Sequence, residues 1–557
     1  MESLKVKKVT SMEKVFPFRE PSGEGMEDVL TGFQGETVSF QIAFFWDGDR
    51  RASMIPQVTS TAGDRVRVRS VKLVPCEYPT HRIADDDYLT REPGLYPDLL
   101  SDIQPWGVDM IPGHWNCLWV DLDGAGMEAG TYPVRIDLMK DGEIMGTAAE
   151  LWEVLDAQLP PLHVPHTEWF HSDCLANYYH VEVFSEEYWR IVENFLRAAV
   201  KRNCNMLLTP VFTPPLDTAV GGERRTVQLV DVKVTREGYD FGYGRFERWV
   251  KMCQDCGIRY FEISHLFSQW GASMAPKIMG EKDGEMVQLF GWDTEAAGPE
   301  YRKFLGQFLR SLDAELKKLG ISEITYFHVS DEPVASQFES YKAAKEIVAD
   351  ALEGYQMIDA LSDYGFYEKG VVSQPICALD HIQPFIEKRP PRLWGYYCTS
   401  QYLDVSNRFI VQPGYRTRIL GTQMYKFQLD GFLHWGYNFY NSQYSIAPID
   451  PYRCTDAAGA FPSGDPFLVY PGADGCPEES IRMMLMDEAM NDLRAMKYLE
   501  DLAGRDTVMA CIEPEGEEKV EFKTYPRRLS YLVEVRRRIH QAVRHCLSGA
   551  SEKLLTE

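Results

Sequence analysis

No stretch of this sequence has the roughly 20 consecutive apolar residues that a membrane-spanning helix requires. Residues 1–12, MESLKVKKVTSM, also lack the apolar core of about 7 to 15 residues that marks a secretion signal. Membrane insertion is therefore not expected, and a cytoplasmic location is. Cysteine is unclustered: 12 are scattered over 557 residues, and Cys204, Cys377 and Cys398 fall inside apolar runs where a free thiol packs as a small hydrophobe. That usage fits a reducing compartment. The one close pair, Cys253 and Cys256, has no second pair and no histidines at zinc spacing, so it reads as part of an amphipathic helix rather than a metal or redox centre. Positive charge is also short. With 58 Lys and Arg against 83 Asp and Glu, the net charge of −25 repels phosphate backbones and anionic headgroups. Nucleic acid is thereby excluded as a partner, whereas a neutral ligand is not. No GxGxxG or Walker pattern opens a helix, which argues against a nucleotide-binding sheet, and there is no internal repeat.

What the chain does have is 45% hydrophobic and 25% charged residues, ordinary for a globular protein, over a length of roughly three or four domain equivalents. Val38, Phe40, Ile42 and Phe44 alternate with smaller or polar residues. Val66, Val68, Leu118, Val120, Leu122, Val134, Ile136 and Leu138 repeat that two-residue period, the mark of half-buried strands. Asp141-Gly142 is a hairpin signal, because a type I′ turn needs positive φ at both central positions. With almost no helical period before residue 155, residues 1–158 are expected to form an antiparallel β-sandwich. The three prolines of 159–165, LPPLHVP, then read as a linker.

After the linker, short apolar strands alternate with long amphipathic helices. The strand candidates are 168–171, 206–209, 260–264, 325–329, 356–360, 375–379, 392–396 and 431–435. Tyr188, Ile191, Val192, Phe195, Leu196 and Ala199 share a helix face behind a Ser185 cap. Tyr301, Phe304, Leu305, Phe308, Leu312, Leu316 and Leu319 do so ahead of the stop at Gly320. Eight such units predict a (β/α)8 barrel over 166–505, with residues 506–557 as a helical extension. Residues 477–502 form a further long helix, and the segment 267–299 is a long insertion after the third strand. Arg536, Arg537 and Arg538 read as a solvated face beside the acidic stretch 513–518.

Catalytic groups of a barrel sit at the C-terminal ends of its strands. The residues there are His171 and Asp173; 210–217, PVFTPPLD, ending in Asp217; His265 and Trp270; Asp331 and Glu332; Asp363 and Tyr364; Asp380 and His381; Trp394, Tyr396 and Tyr397; and Trp435, Tyr437, Asn438, Tyr440 and Asn441. Aromatic faces stack on the C–H faces of sugars while Asn, Asp and His bind hydroxyls, so this composition favours a carbohydrate ligand. The competing reading of any single Tyr or Trp is ordinary packing.

The sharpest signal is Ser330-Asp331-Glu332-Pro333. Adjacent carboxylates at a strand end repel each other, an arrangement tolerated where one must stay protonated. Pro333 is expected to hold Glu332 extended. An ordinary retaining glycosidase places its two carboxyl groups about 5 to 5.5 Å apart on opposite sides of the anomeric carbon, which neighbours cannot easily do. They are suited instead to substrate-assisted hydrolysis, in which Glu332 protonates the leaving oxygen and Asp331 faces a 2-acetamido group whose carbonyl attacks the anomeric carbon.

His171, PVFTPPLD, FHVSDEP (327–333), LWGYYC (393–398), LHWGYNFYN (433–441) and FPSGDPFLVYPG (461–472) together resemble glycoside hydrolase family 123 and the larger family sharing its catalytic domain. The resemblance implies a retaining, exo-acting β-N-acetylgalactosaminidase that uses no metal or other cofactor. It implies an N-terminal sandwich and a barrel, with Asp331 stabilising the acetamido group and Glu332 as general acid/base. His171, Asp217, His265, Trp394, Tyr396, Trp435, Tyr437, Asn438 and Tyr440 are the candidate sugar contacts. The alternatives are an N-acetylhexosaminidase of other sugar or linkage specificity and a catalytically silent glycan-binding protein.

Overall fold

The computed structural model describes residues 3–269 and 271–554. The chain forms two compact units: Met1–His163 with Tyr402–Gln428 and Glu478–Glu557, and Val164–Gln401 with Leu429–Pro477. The division thus follows neither residue 166 to 505 as one block nor 506–557 as a separate extension.

In the first unit, two five-stranded sheets face each other. One runs in the order Leu4–Thr10, Thr37–Trp46, Trp115–Asp123, Val66–Cys76, Gly94–Asp102, and the other Val29–Gln34, Glu143–Gln158, Gly130–Lys140, Ala52–Ser60, Val108–Met110. Phe40, Ile42 and Phe44 of the first sheet pack with Val134, Ile136 and Leu138 of the second in one core. Each such side chain contributes roughly 1.5–3 kcal/mol. The pairing is antiparallel except where Val29–Gln34 runs parallel to Glu143–Gln158. Asp141 and Gly142 take φ of 50° and 85°, as the turn requires.

The other face of the first sheet carries an apolar cluster of Val9, Ala43, Trp115 and Cys117 and, beside it, buried charge: Arg69 pairs with Asp121 at 2.7 Å and Glu479 at 2.5 Å. Glu479 directly precedes the helix Ile481–Ala503, capped by Ser480. Here the sequence reading of the arginine run is corrected. Arg536, on the helix Leu529–Leu554, is buried and ion-paired to Glu36 at 2.5 Å and Asp492 at 3.1 Å, because its stretch of helix faces the unit's interior.

The second unit contains a closed barrel of eight parallel strands in sequence order. They are β1 (His166–Glu168), β2 (Met206–Thr209), β3 (Tyr260–Ile263), β4 (Thr325–Phe327), β5 (Gln356–Leu361), β6 (Gln374–Ala378), β7 (Trp394–Tyr396) and β8 (Gly431–His434). β1 closes on β8 through Thr167 opposite Leu433. Only the first differs appreciably from its expected span, lying two to three residues earlier. The helix α1 (Glu186–Lys201) starts where Ser185 accepts from the Tyr188 amide, and α2 (Pro299–Leu319) ends at Gly320 with φ 69°. Met206 and Leu208, Ile358 and Ala360, Ile376 and Ala378, and Trp394 and Tyr396 point into the barrel interior, each pair two residues apart. The insertion after β3 supplies two strands, Ile278–Lys282 and Glu285–Phe290, of a four-stranded sheet completed by Asp231–Val234 and Tyr239–Gly242.

Candidate active site

Beneath the C-terminal end of β4 lies a buried set of charges. His328 Nε2 meets Glu262 Oε1 at 2.5 Å, and its Nδ1 faces Asp359 Oδ1 at 3.4 Å. Burial alone would strip the imidazole of its proton, but bonds to Asp359 and Glu262 and the charges of both hold it up to about 10. Glu262 also accepts from Thr167 Oγ1 and Trp169 Nε1, each at 2.7 Å. Asp359 accepts from the amides of Val329 and Ser330 at 3.0 and 3.3 Å and from the Tyr341 hydroxyl. The backbone leading into Asp331 is therefore fastened, through Asp359, to the cluster around His328.

Asp331 Oδ2 accepts from Gln269 Nε2 at 2.8 Å, and Glu332 Oε1 accepts from the Tyr396 hydroxyl at 2.5 Å. Asp331 is half-buried and Glu332 keeps exposed surface, although many protein atoms lie around both carboxyls. Both are pushed above the ordinary carboxylate range, Asp331 by burial and then by Glu332's charge, Glu332 by burial with a further push from Asp380. Such a pair holds a proton where isolated carboxyls would have lost theirs. The expectation that Pro333 keeps Glu332 extended is overturned: its φ is 42°, in the left-handed region. This conformation costs about 1–3 kcal/mol, and the Tyr396 bond fixes the carboxyl it places.

The pair opens into a cavity of about 260 Å³. Trp169, Tyr396, Trp435 and Phe461 supply its aromatic walls, with Leu216, Ala360, Cys398 and Leu433 as apolar fill and Asp217, Gln269, Thr399, Gln443 and Tyr444 as polar groups. Trp435 is anchored through Nε1 to Asp465 Oδ2 at 3.0 Å. Asp217 Oδ2 accepts from the Tyr444 amide at 2.9 Å, and burial pushes its carboxyl up to about 6.

Of the sequence candidates, Asp217, Asp331, Glu332, Tyr396 and Trp435 thus share one cavity. His171 stands behind it. Burial and then the Arg224 charge push its imidazole down to about 3, so it is neutral, accepting from Arg224 through Nδ1 at 3.0 Å and donating from Nε2 to Trp435 O at 2.8 Å. Arg224 in turn pairs with buried Asp173. His265 is buried with its ring stacked 4.4 Å from His328, and Trp394 lies one interior layer below the cavity, against Tyr326. Tyr437 and Tyr440 bond backbone carbonyls of Phe195 and Val469, and Asn438 exchanges bonds with the His171 backbone. These three lie beyond the end of β8, where the two-residue alternation that aims Leu433 and Trp435 inward has ceased. Tyr397 is buried against Phe432, and Asn441 donates to Cys174. Asp363, Tyr364, Asp380 and His381 line a neighbouring cleft. Trp270 lies outside the described residues.

Trp169, Gln269, Tyr444 and Phe461 line the cavity without having been singled out from sequence. Gln269 adjoins Trp270 in the strand-end window, and Phe461 opens FPSGDP, so both carried a signal. Among the described residues, no group of three or more His, Cys, Asp and Glu side chains is placed to hold a metal ion, and no helix is long and apolar enough to cross a membrane.

A barrel whose C-terminal face carries paired carboxyls under aromatic walls is the arrangement of a glycoside hydrolase. Residues 169–499 match the family described as glycoside hydrolase 123, catalytic domain, and the chain belongs to that family. A family 123 glycoside hydrolase from Clostridium perfringens, studied for glycolipid glycan hydrolysis, superposes with a TM-score of 0.74 over 99% of this chain and 100% of its own, at 14% identity. A GH5 xyloglucanase from Bacteroides ovatus reaches only 0.32 at 9% identity, over 87% of this chain and 100% of its own, too distant to bear on the site. No curated protein matches the chain.

Proposed function

We propose that this glycosidase releases a terminal β-linked N-acetylgalactosamine with retention, by substrate-assisted catalysis at Asp331 and Glu332. The observation that carries the reading is that both adjacent carboxyls enter one cavity sized for a single sugar ring, each on its own hydrogen-bond partner, Gln269 for Asp331 and Tyr396 for Glu332. In the first step Glu332 gives its proton to the glycosidic oxygen as the bond to the anomeric carbon breaks. The acetamido carbonyl oxygen closes on that carbon to form an oxazolinium ion, and Asp331 accepts from the acetamido N–H and opposes the positive charge. In the second, Glu332 takes a proton from water, whose oxygen reopens the ring, so two inversions give net retention. Trp435 or Trp169 would stack on the sugar's apolar face. The galacto configuration and the exo mode come from family likeness and from the cavity's size.

A second reading is favoured by Asp217, the other carboxyl lining the cavity among the described residues: it would be the nucleophile of an ordinary two-carboxylate mechanism. Its raised value and its engagement by the Tyr444 amide weigh against that role. Nitrophenyl glycosides decide between the two. The substrate-assisted reading expects cleavage of the 2-acetamido β-galactoside and none of the parent β-galactoside, together with competitive inhibition by an N-acetylgalactosamine thiazoline. Comparable turnover of both sugars, abolished for both by Asp217→Asn, would establish the second reading instead.

A further inference from the structure

Glu332 borders two cavities. One is the 260 Å³ cavity it shares with Asp331; the other is an open cleft of about 930 Å³ formed by the segments that follow β4, β5, β6 and β7. Among the described residues, Glu332 is the one that lines both. A general acid stands at the oxygen of the bond being cleaved, so that bond must cross from one cavity to the other at this side chain. The cavity holding Asp331 takes the sugar whose anomeric carbon reacts, and whatever lies beyond the oxygen enters the cleft.

The cleft's chemistry restricts what that group is. Besides Glu332, its charged walls are the carboxyls of Asp363 and Asp380; among the described residues no Lys or Arg lines it, and its rings are Tyr364 and the imidazole of His381. Asp380 Oδ1 accepts from Gln401 Nε2 at 3.0 Å and faces His381 Nδ1 at 2.8 Å, while Asp363 Oδ1 accepts from the Gly365 amide at 2.8 Å. Both carboxylates are thereby aimed, and the Oδ2 of each makes no hydrogen bond within the described protein. Fixed acceptors of this kind suit the hydroxyls of a sugar, and they repel a second negative charge. For apolar contact the cleft offers the small side chains of Pro333, Val334, Ala335 and Pro384 and the one Tyr364 ring.

We propose that this cleft binds the leaving group as an uncharged, hydroxyl-rich saccharide and discriminates against leaving groups that carry a carboxylate or sulfate. The proposal rests on the reading of Glu332 as the acid. The test uses three substrates with the same β-linked 2-acetamido sugar: a nitrophenyl glycoside, a neutral disaccharide, and that disaccharide sulfated or oxidised to a uronic acid on the leaving sugar. For the wild-type enzyme, kcat/KM for the neutral disaccharide should exceed that for the anionic one at least tenfold. In Asp363→Ala, the ratio of neutral disaccharide to nitrophenyl glycoside should fall at least fivefold, and the ratio of neutral to anionic disaccharide should fall with it. Nitrophenyl turnover reports that the variant is folded, and Gln383→Ala, at the same wall, should lower the first ratio and leave the second. Equal cleavage of neutral and anionic disaccharides by the wild type, or ratios unmoved in Asp363→Ala, would overturn the cleft assignment while leaving the catalytic reading intact. Absence of nitrophenyl cleavage by the wild type would overturn both.

Discussion

Replacing His328 by Gln removes the one cation from a buried cluster and leaves Glu262 and Asp359 facing each other across an uncharged side chain. Two routes give the size of the effect. Breaking a buried ion pair by deleting one partner costs about 3–5 kcal/mol. Linkage gives a similar figure: His328 is held up to about 10 against an ordinary 6.5, and at about 1.4 kcal/mol per pH unit that gap corresponds to about 5 kcal/mol. The sign follows from the raised folded value. Stability due to the protonated imidazole is fully present below pH 6.5, where it is protonated in both states. It is lost as pH rises toward and through about 10, because the unfolded chain has given up that proton and the folded one must still bind it. Urea denaturation followed by tryptophan fluorescence, for wild type and His328→Gln from pH 6 to 9.5, isolates this contribution because other titrating groups are common to both. The difference should be about 3–5 kcal/mol at pH 6 and should shrink steadily with rising pH. A difference below about 1 kcal/mol at pH 6, or one that grows with pH, would refute an ionised His328.

Arg224→Leu strands buried Asp173 and removes the donor to His171 Nδ1. It should destabilise the protein by about 3–5 kcal/mol, read as a lowered thermal midpoint, and raise KM, because Arg224 also holds the Leu216 carbonyl beside Asp217. Tyr396→Phe deletes the donor that favours the Glu332 carboxylate. Glu332 should then keep its proton to higher pH, and the alkaline limb of kcat/KM should move upward. Asp380→Asn removes a negative charge that opposes ionisation of Glu332, so the same limb should move downward. Shifts in the same direction for these two variants would count against Glu332 as the acid.

The eight strands were legible because each is a short apolar run closed by polar residues, and the sandwich because its alternation persists over whole strands, as from Val38 to Phe44. Tyr396 and Trp435 were found by the same logic, since each continues the inward parity of its strand. That logic failed one step later. Tyr437, Asn438 and Tyr440 look like rim residues in the sequence, but β8 ends at His434 and no local rule says where the chain turns next. Glu332 escaped the rule for residues before proline, because tertiary bonds hold it at positive φ. Glu262 and Asp359 lie in β3 and β5 and His328 directly follows β4, and nothing in any one segment signals that they meet. Arg536 was misread for the same reason: its partners Glu36 and Asp492 are 500 and 44 residues away.

The central claim is that Asp331 and Glu332, side by side in sequence, do different work on one substrate. It is tested most directly by kcat/KM for Asp331→Asn and Glu332→Gln across aryl 2-acetamido-β-galactosides of falling leaving-group pKa. Glu332→Gln should lose on the order of 10²- to 10⁴-fold with poor leaving groups that need protonation and should recover as the phenol becomes activated. Asp331→Asn should stay impaired along the whole series, because the charge that orients the acetamide and opposes the oxazolinium ion is needed whatever group departs. Recovery of Asp331→Asn with persistent loss in Glu332→Gln would reverse the roles, and undiminished activity in both variants would place the chemistry elsewhere.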